Sequence, residues 1–409
     1  MKKLRTCCAL LLCLAMMLGL GGCASYDNFR EAFFGKEEEE NVIYFGIFEP
    51  LSGADSEAAS EEIAGIELAH EQFGHASYGS GENIRTARVD LFYADNKSEV
   101  EGAKEAAQAI VDSGSVFALG SYKSVLSMAG GDIFAENYLP AIGISCKNPL
   151  ITQTNEYYFR VCYIDSYEGN SAAHYVHDAL GEDTVAIFMR QGNDYAQTIA
   201  DQFQSTMVSL TGDPESVVTV SYPEGIENYM PYLISLELTG CETVFFPEGA
   251  AEAAKVIKFA KENEFEFNWI GTSSWKDIVS QDPEYGTGTR YLDGIAYLAD
   301  YDADISENTT ARRFLMAYRE KYGEDAVPSE NFALGYDAYL LALRAIQQAE
   351  SFSDRYRLAR ALTSIYKMDG ATGTLTLNSI GDPIKEVAVE QLWGTEPKQV
   401  YIVTPAWGE

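Results

Sequence analysis

Short apolar runs alternate with longer amphipathic segments along most of this chain. Runs rich in Val, Ile, Phe and Ala predict buried strands at 42–48, 89–95, 116–121 and 141–145. Between these runs, apolar residues at helical spacing predict helices over 56–73, 99–113 and 124–137. A strand, helix, strand order at this spacing predicts a parallel sheet with helices on both faces.

The same alternation then repeats without a flexible linker. The repeat predicts strands at 184–189, 216–222, 243–247, 267–273 and 294–299, and helices at 167–180, 195–210, 228–240 and 250–263. A helical segment over 307–350, broken near 323–328, follows, and the runs at 373–378, 386–393 and 399–405 predict strands without helices between them. The chain is therefore predicted to be an α/β protein with two doubly wound, Rossmann-like lobes. Ligands of such folds bind outside the carboxyl ends of the strands.

The N-terminal segment differs in composition from the repeating region. Three basic residues precede an apolar stretch over 7–20, which is too short to span a bilayer and is typical of a secretory signal. Leu-Gly-Gly-Cys at 20–23 resembles a bacterial lipobox. We therefore expect 1–22 to be a lipoprotein signal peptide, Cys23 the lipid attachment residue, and 23–41 an acidic tether. A plain signal with a coincidental cysteine is the alternative.

Charge and cysteine content argue against several functional classes. The formal net charge of −33 opposes binding to nucleic acid and to anionic lipid. No segment after the signal is apolar for ~18 residues, so we expect no transmembrane helix in the mature chain. The cysteines after Cys23 are Cys146, Cys162 and Cys241, an odd and widely spaced set that predicts neither a disulfide framework nor a zinc site.

Catalytic and metal-binding motifs are weak in this sequence. His174 and His177 lie three apart on one predicted helix face, a spacing that can bind metal, but no further ligands are evident near them. The sequence has no Gly-x-Ser-x-Gly elbow and no convincing Ser/His/Asp set. We expect no metal, no cofactor and no enzymatic activity.

Five segments, in order, resemble the type I periplasmic binding proteins of the branched-chain amino acid class. They are FGIFEPLSG at 45–53, YADNKSEVEGAKEAAQAIV at 93–111, FRVCYIDSYEGNSAAHYV at 159–176, FLMAYREKYGEDAVPSENFALGYDAYLLALRAIQQA at 314–349 and GATGTLTLNSIGDP at 370–383. The resemblance implies crossovers between the lobes near 161–164, 297–301 and 371–373. It implies a first lobe of 42–162 plus 300–371 and a second lobe of 163–299 plus 372–409.

The resemblance also implies a function. Members of the family are non-enzymatic solute-binding components of ABC importers, which close on a ligand between two lobes and deliver it to a membrane permease with cytoplasmic ATPases. A ligand-sensing subunit that signals to a membrane receptor has the same fold and is the alternative.

Two strand-to-helix turns of the first lobe carry the expected ligand contacts. The candidates there are Ser121, Tyr122, Ser124, Ser145, Cys146 and Lys147. In the family, the serine that matches Ser124 and nearby backbone N–H groups hold the ligand carboxylate. A helix N-terminus offers unpaired donors and partial positive charge, which suits that role, although Ser124 could instead only cap the helix. At Lys147 the family tends to have a threonine; a lysine repels an ammonium and attracts an anion, unless its head group points to solvent.

The second lobe is expected to contribute Tyr195, Glu248 and Ser273. Tyr195 aligns with an aromatic residue that closes over the ligand in the family. The family carboxylate that pairs with a ligand ammonium falls near Ser273, which has no charge, and Glu248 could substitute for it. These departures predict a small carboxylate or other polar anion as ligand. A zwitterion in a different pose stays open if Glu248 and Lys147 both face the cleft.

Overall fold

Two sheets covered by helices make up the part of the chain that the structure describes. This computed structural model describes residues 41–404, except 284, 287–288, 300 and 302–307. The predicted signal peptide, Cys23 and nearly all of the predicted tether lie outside the described residues. No helix among the described residues is both long enough and apolar enough to cross a membrane.

The first sheet has six strands in the order β2-β3-β1-β4-β5-β6. Its strands are β1 (Asn41–Glu49), β2 (His75–Tyr78), β3 (Arg85–Asp95), β4 (Phe117–Gly120), β5 (Ala141–Gly143) and β6 (Tyr158–Arg160), and the helices between them are α1 (Ser56–Gln72), α2 (Val100–Asp112), α3 (Ser124–Glu136) and α4 (Leu150–Gln153). Strand β1 pairs in parallel with β4, β4 with β5, and β5 with β6. Parallel neighbours bring the carboxyl ends of β1, β4 and β5 to one edge of the sheet.

The second sheet has seven strands in the order β16-β15-β11-β10-β9-β7-β8. Its strands are β7 (Val185–Arg190), β8 (Val217–Tyr222), β9 (Thr243–Phe245), β10 (Asn268–Gly271), β11 (Ala296–Ala299), β15 (Val387–Trp393) and β16 (Glu396–Val403), and its helices are α5 (Asp165–His174), α6 (Asp194–Thr211), α7 (Met230–Glu237) and α8 (Ala250–Glu262). A π-helical turn, Tyr175–Leu180, extends α5, and a 3₁₀ segment, Ser273–Gln281, follows β10. The final two strands are antiparallel, as tail strands without intervening helices require.

The late helices pack against the first sheet. They are α9 (Thr309–Tyr322), α10 (Glu330–Ala349) and α11 (Arg355–Leu362). Tyr339 of α10 contacts Phe45 of β1, with 5.3 Å between ring centroids. Helices α1 and α10 approach closely because each has a glycine at the contact: a Cβ on Gly65 would lie 2.0 Å from the Phe332 carbonyl oxygen, and one on Gly335 would lie 2.1 Å from the Glu62 carbonyl oxygen.

A small third sheet joins this region. Its strands are β12 (Met368–Gly370), β13 (Gly373–Leu377) and β14 (Pro383–Lys385). Leu375 and Leu377 are buried in the core of the first sheet. Alternate side chains of β13 point into this core.

The α/β fold with two wound sheets is confirmed, and four short strands, β2, β6, β12 and β14, were not predicted. Strand β2 is short and half polar, and β6 has only three residues, so neither gives an apolar run of useful length. The predicted lobe boundaries stay a prediction.

Candidate functional site

A cavity of about 630 Å³ lies between turns that follow strands of the two large sheets. Its lining residues are Tyr122, Lys123, Ser124, Val125, Ser145, Lys147, Asn148, Tyr195, Ser273, Ser274, Lys276, Glu330 and Asn331. Six of the nine sequence-predicted ligand residues lie in this lining, namely Tyr122, Ser124, Ser145, Lys147, Tyr195 and Ser273. The other three, Ser121, Cys146 and Glu248, lie behind it.

The turn between β4 and α3 forms one wall of the cavity. Ser124 is the first residue of α3, and its hydroxyl accepts the Asn148 backbone N–H at 3.2 Å. The first-turn N–H groups of α3 have no carbonyl partner within the helix and favour an anion in front of them. Ser121 is fully buried behind this wall, where its hydroxyl accepts from the Asn96 side chain at 2.8 Å. Ser121 therefore supports the turn, while Ser124 faces the cavity.

The turn after β5 forms the adjacent part of the same wall. The Ser145 hydroxyl donates to the Glu62 carboxyl, below the cavity surface. Cys146 is fully buried next to Cys162, and the hydrogen bond between the two thiols lowers the pKa of Cys146 to about 7. Arg160, also fully buried, donates to the Cys146 carbonyl oxygen at 2.7 Å. The backbone of this turn is thus fixed from below, so that Lys147 is directed into the cavity.

The Lys147 ammonium spans the gap between the two sheets. It lies 3.3 Å from the Ser273 hydroxyl, 3.8 Å from a Glu168 carboxylate oxygen and 4.0 Å from Glu330 Oε1. It also lies 5.0 Å from the centroid of the Tyr163 ring. Ser273 in turn donates to Glu168, which is almost fully buried. The lysine is therefore a cleft residue with carboxylates close to its charge.

Residues on the side of the second sheet close the cavity. Tyr195 lies in the first turn of α6, where Asn193 caps the helix by accepting the Ala196 N–H, and its side chain is 39% exposed. Glu248 faces away from the cavity: its carboxylate accepts the Arg190 backbone N–H at 2.9 Å and the Asn193 amide at 2.8 Å. Burial raises the pKa of Glu248. Glu248 therefore holds the turn that presents Tyr195.

Four charged residues of the site were not predicted from the sequence, and one of them, Lys123, directly precedes α3. Glu168 lies on α5, Glu330 begins α10 and Lys276 follows β10; Lys276 pairs with Glu330 at 3.5 Å. Lys276 is two residues beyond the turn IGTSS at 270–274, which the strand pattern already placed at the cleft. Glu168 and Glu330 lie on helices, so the rule that ligand residues follow the carboxyl ends of strands does not predict them.

The histidine pair does not form a metal site. His174 and His177 each direct Nδ1 to the carboxylate of Asp178, at 2.8 and 2.7 Å. Among the described residues, no group of three or more His, Cys, Asp and Glu side chains could hold a metal ion.

Comparisons with known proteins agree with this architecture. The family model described as periplasmic binding protein matches residues 42–389. The Leu/Ile/Val-binding protein homolog 3 of Brucella melitensis is 25% identical over 342 residues, which cover 83% of this chain and 88% of that protein.

Two solved structures extend the comparison. A leucine-binding protein LivK from Thermotoga maritima is 25% identical, with a TM-score of 0.66, covering 89% of this chain and 99% of that one. A solute-binding protein of an ABC transporter from R. palustris, in complex with benzoate, is 17% identical with a TM-score of 0.62, covering 90% of this chain and 98% of that one. The latter shows similarity of fold alone.

Proposed function

The chain belongs to the periplasmic binding protein family, and from this we propose that it is the lipid-anchored, extracytoplasmic solute-binding component of an ABC importer. The type I, branched-chain amino acid class predicted from the sequence is confirmed by the family match and the relatives. Proteins of this family bind solutes outside the cytoplasm and are not enzymes. We also propose that the chain works with importer subunits, that Cys23 carries the lipid, and that the ligand is of the class described below.

We propose that the ligand is a small carboxylate or an amino-acid-like molecule, held in the cavity between the two sheets. The observation that carries this is the wall formed by the N-terminus of α3, Ser124 and Lys147. Lysines 123, 147 and 276 line the cavity, and Glu330 is the acidic residue among the lining. Such a surface is distinctive in a chain with a formal net charge of −33.

Within that class, the geometry favours a carboxylate without an ammonium group. The acceptors that could hold a ligand ammonium, Glu168, Ser273 and Glu330, already surround the Lys147 ammonium. A second cation in the same place would compete with Lys147 and would be repelled by it. The benzoate complex of the R. palustris protein shows that this fold accepts such a ligand.

We propose that the ligand is captured by hinge closure. The contacts Lys147–Glu168, Lys147–Ser273 and Lys276–Glu330 each join a residue on the first-sheet side to one on the second-sheet side. These pairs form only when the two sides are close together, so they stabilise a closed arrangement around the cavity.

Ligand identity is tested by mass spectrometry of small molecules released from the purified protein, followed by a thermal-shift panel. The panel contains benzoate, other small carboxylates, and L-leucine, L-isoleucine and L-valine. A ligand at 100 times its dissociation constant adds about 2.7 kcal/mol to the free energy of unfolding. Stabilisation by the branched-chain amino acids and by no simple carboxylate would refute the carboxylate proposal. Absence of any stabilising or released ligand would refute solute binding.

The anchor is tested separately in cells. The wild-type chain should incorporate labelled fatty acid and stay with the membrane fraction, and Cys23→Ala should do neither. Fatty acid incorporation into Cys23→Ala would refute the proposed attachment residue without affecting the ligand proposal.

A further inference from the structure

Two fully buried glutamates lie beneath the wall of the cavity that the first sheet provides. Glu49 is the last residue of β1, and its Oε2 accepts the Tyr122 backbone N–H at 2.7 Å. Glu62 lies in α1, and its Oε1 accepts the Ser145 hydroxyl. Each of the two turns that form the wall is therefore tied to one of the two carboxyl groups.

One oxygen of each carboxyl group has no hydrogen-bond partner among the described residues. Their second oxygens, Glu49 Oε1 and Glu62 Oε2, are buried and receive no hydrogen bond from a donor among the described residues. A hydrogen bond between the two carboxyl groups is one of the causes that shift their pKa values. Two ionised carboxylates cannot make that bond, because neither has a proton to donate. A hydrogen bond between them therefore requires one of the pair to be a neutral carboxylic acid.

Two other buried titratable groups lie near the pair. The titratable groups that face the pair are the Cys146 thiol and the Tyr158 hydroxyl, both buried, and Tyr158 donates to the Gly120 carbonyl oxygen at 2.6 Å. Burial raises the pKa of Glu62 to about 8, and burial together with the Glu62 charge raises the pKa of Glu49 well above its ordinary value. Backbone packs directly against the pair, since a Cβ on Gly120 would lie 2.4 Å from Glu49 Oε1.

We infer that Glu49 and Glu62 form a proton-sharing pair that ties the Tyr122 turn to the Ser145 turn. The ligand-binding wall is ordered while the pair is protonated and is loosened when the pair loses its protons. The two glutamates are positioning residues, because they act on the cavity through Tyr122 and Ser145. The consequence for ligand binding rests on the proposed function: ionising the pair places negative charge behind a wall that binds a carboxylate. Affinity for an anion therefore falls as the pH rises.

The sign of the pH effect on stability follows from the direction of the pKa shift. A carboxyl group whose pKa is higher in the folded chain than in the unfolded chain favours folding when it is protonated. Its contribution is complete below the unfolded value of about 4.5 and is lost as the pH rises through the folded value of about 8. The ligand-free protein should therefore become less stable between these two pH values.

The test compares the wild-type chain with Glu62→Gln, and with Glu57→Gln as the control. A glutamine at 62 can donate its amide N–H to Glu49 and accept the Ser145 hydroxyl, but it does not titrate. Glu57 is an exposed residue of the same helix. Thermal unfolding midpoints are measured without ligand from pH 5.5 to pH 9. We expect the midpoint of wild type and Glu57→Gln to fall towards pH 8 relative to that of Glu62→Gln. Parallel profiles for all three proteins would overturn the inference.

A measurement on the wild-type chain covers the case in which Glu62→Gln does not fold. Infrared spectroscopy of the ligand-free protein at pH 6 should show a buried carboxylic acid C=O band that is lost above pH 8. Absence of that band at pH 6 would overturn the shared proton. Amide hydrogen exchange of peptides spanning 120–124 and 144–148 should rise above pH 8 by more than the intrinsic chemical rate does.

Binding measurements separate this inference from the proposed function. The dissociation constant of benzoate should rise with pH more steeply in wild type than in Glu62→Gln, by at most about tenfold per pH unit for one proton. If neither benzoate nor L-leucine binds at any pH while the stability profiles differ as expected, the ligand class fails and the pair stands. If benzoate binds with the same pH dependence in both proteins, the coupling fails and the function stands.

Discussion

Replacing Arg160 with methionine should destabilise the fold and disturb the ligand-binding wall together. The Arg160 guanidinium is fully buried, and its Nε lies 2.8 Å from Oδ1 of Asp382, which is 3% exposed. Its other nitrogens donate to the Cys146 carbonyl oxygen at 2.7 Å and to the Thr152 hydroxyl at 2.9 Å. Methionine keeps much of the volume and removes the charge and all of the donors.

The expected loss of stability arises because Arg160→Met leaves the Asp382 carboxylate buried without its ion-pair partner. Removing one partner of a buried ion pair typically costs about 3–5 kcal/mol, because the other charge stays buried without compensation. For a chain of this length, an unfolding entropy of about 2.1 cal/mol/K per residue converts that cost into a loss of about 3.5–6 °C in melting temperature. Adding Asp382→Asn removes the stranded carboxylate, so the double variant should recover part of the loss, with a coupling energy of about 0.5–3 kcal/mol.

Urea unfolding of the wild type, both single variants and the double variant measures this cycle directly. The cost of Arg160→Met should also depend on pH. Burial raises the pKa of Asp382 and Arg160 opposes that rise, so losing the arginine raises this pKa further. The carboxyl group can then take up a proton as the pH falls, and the cost should be smaller at pH 5 than at pH 8. A cost below about 1 kcal/mol, the value for an exposed pair, or a fully additive double variant, would refute the reasoning.

Three further predictions concern the cavity, the third sheet and the helix contact. Lys147→Ala should weaken benzoate binding, measured by calorimetric titration, by about 10–100-fold, because one charged hydrogen bond is lost. The control Lys104→Ala, on the exposed face of α2, should leave the affinity unchanged. Equal affinities of wild type and Lys147→Ala would show that Lys147 does not contribute to binding. Asp337→Ala removes a fully buried acceptor of both the Thr372 N–H and the Thr372 hydroxyl. The substitution should lower the free energy of unfolding, measured with urea, by about 2–5 kcal/mol. A loss under about 1 kcal/mol would contradict this prediction. Gly65→Ala should cost about 1–3 kcal/mol in the same assay, because its Cβ would meet the Phe332 carbonyl; unchanged stability would show that α1 and α10 can separate freely.

The sequence predicts most of the α/β order because buried parallel strands leave a strong local signal. Strand β4 is a good example: all four of its residues are buried, and its apolar run predicts it within two residues at its start and end. Strand β2 leaves no such signal, since its existence depends on antiparallel pairing with β3, a contact that no local pattern encodes. Short edge and peripheral strands are therefore the part of this fold that periodicity misses.

Some residues of the candidate site could likewise be predicted from the sequence, and others could not. Ser124 and Lys147 could be predicted because they follow parallel strands whose carboxyl ends meet at one edge of the sheet. Glu248 follows a strand by the same rule, yet its carboxylate is taken up by the Arg190 N–H and the Asn193 amide. Whether a strand-end residue faces the cavity or supports the neighbouring turn depends on side-chain direction, which the strand pattern does not give. Glu168 comes from a helix and becomes a neighbour of Lys147 only through the packing of the two sides.

The carboxylates around Lys147 affect which ligands the cavity can accept. The lysine is held between Glu168 and Glu330, on opposite sides of the cavity, so its charge is balanced before any ligand enters. An anion that binds beside Lys147 must therefore share the lysine with carboxylates at close range, and the N–H donors of the α3 terminus add to the attraction of the lysine. A ligand that carried its own ammonium would have to displace the lysine from Glu168. Shortening Lys147 should for this reason shift selectivity towards zwitterions as well as weaken binding of anions, and a Lys147→Ala variant that gains affinity for L-leucine while losing benzoate would show both effects at one residue.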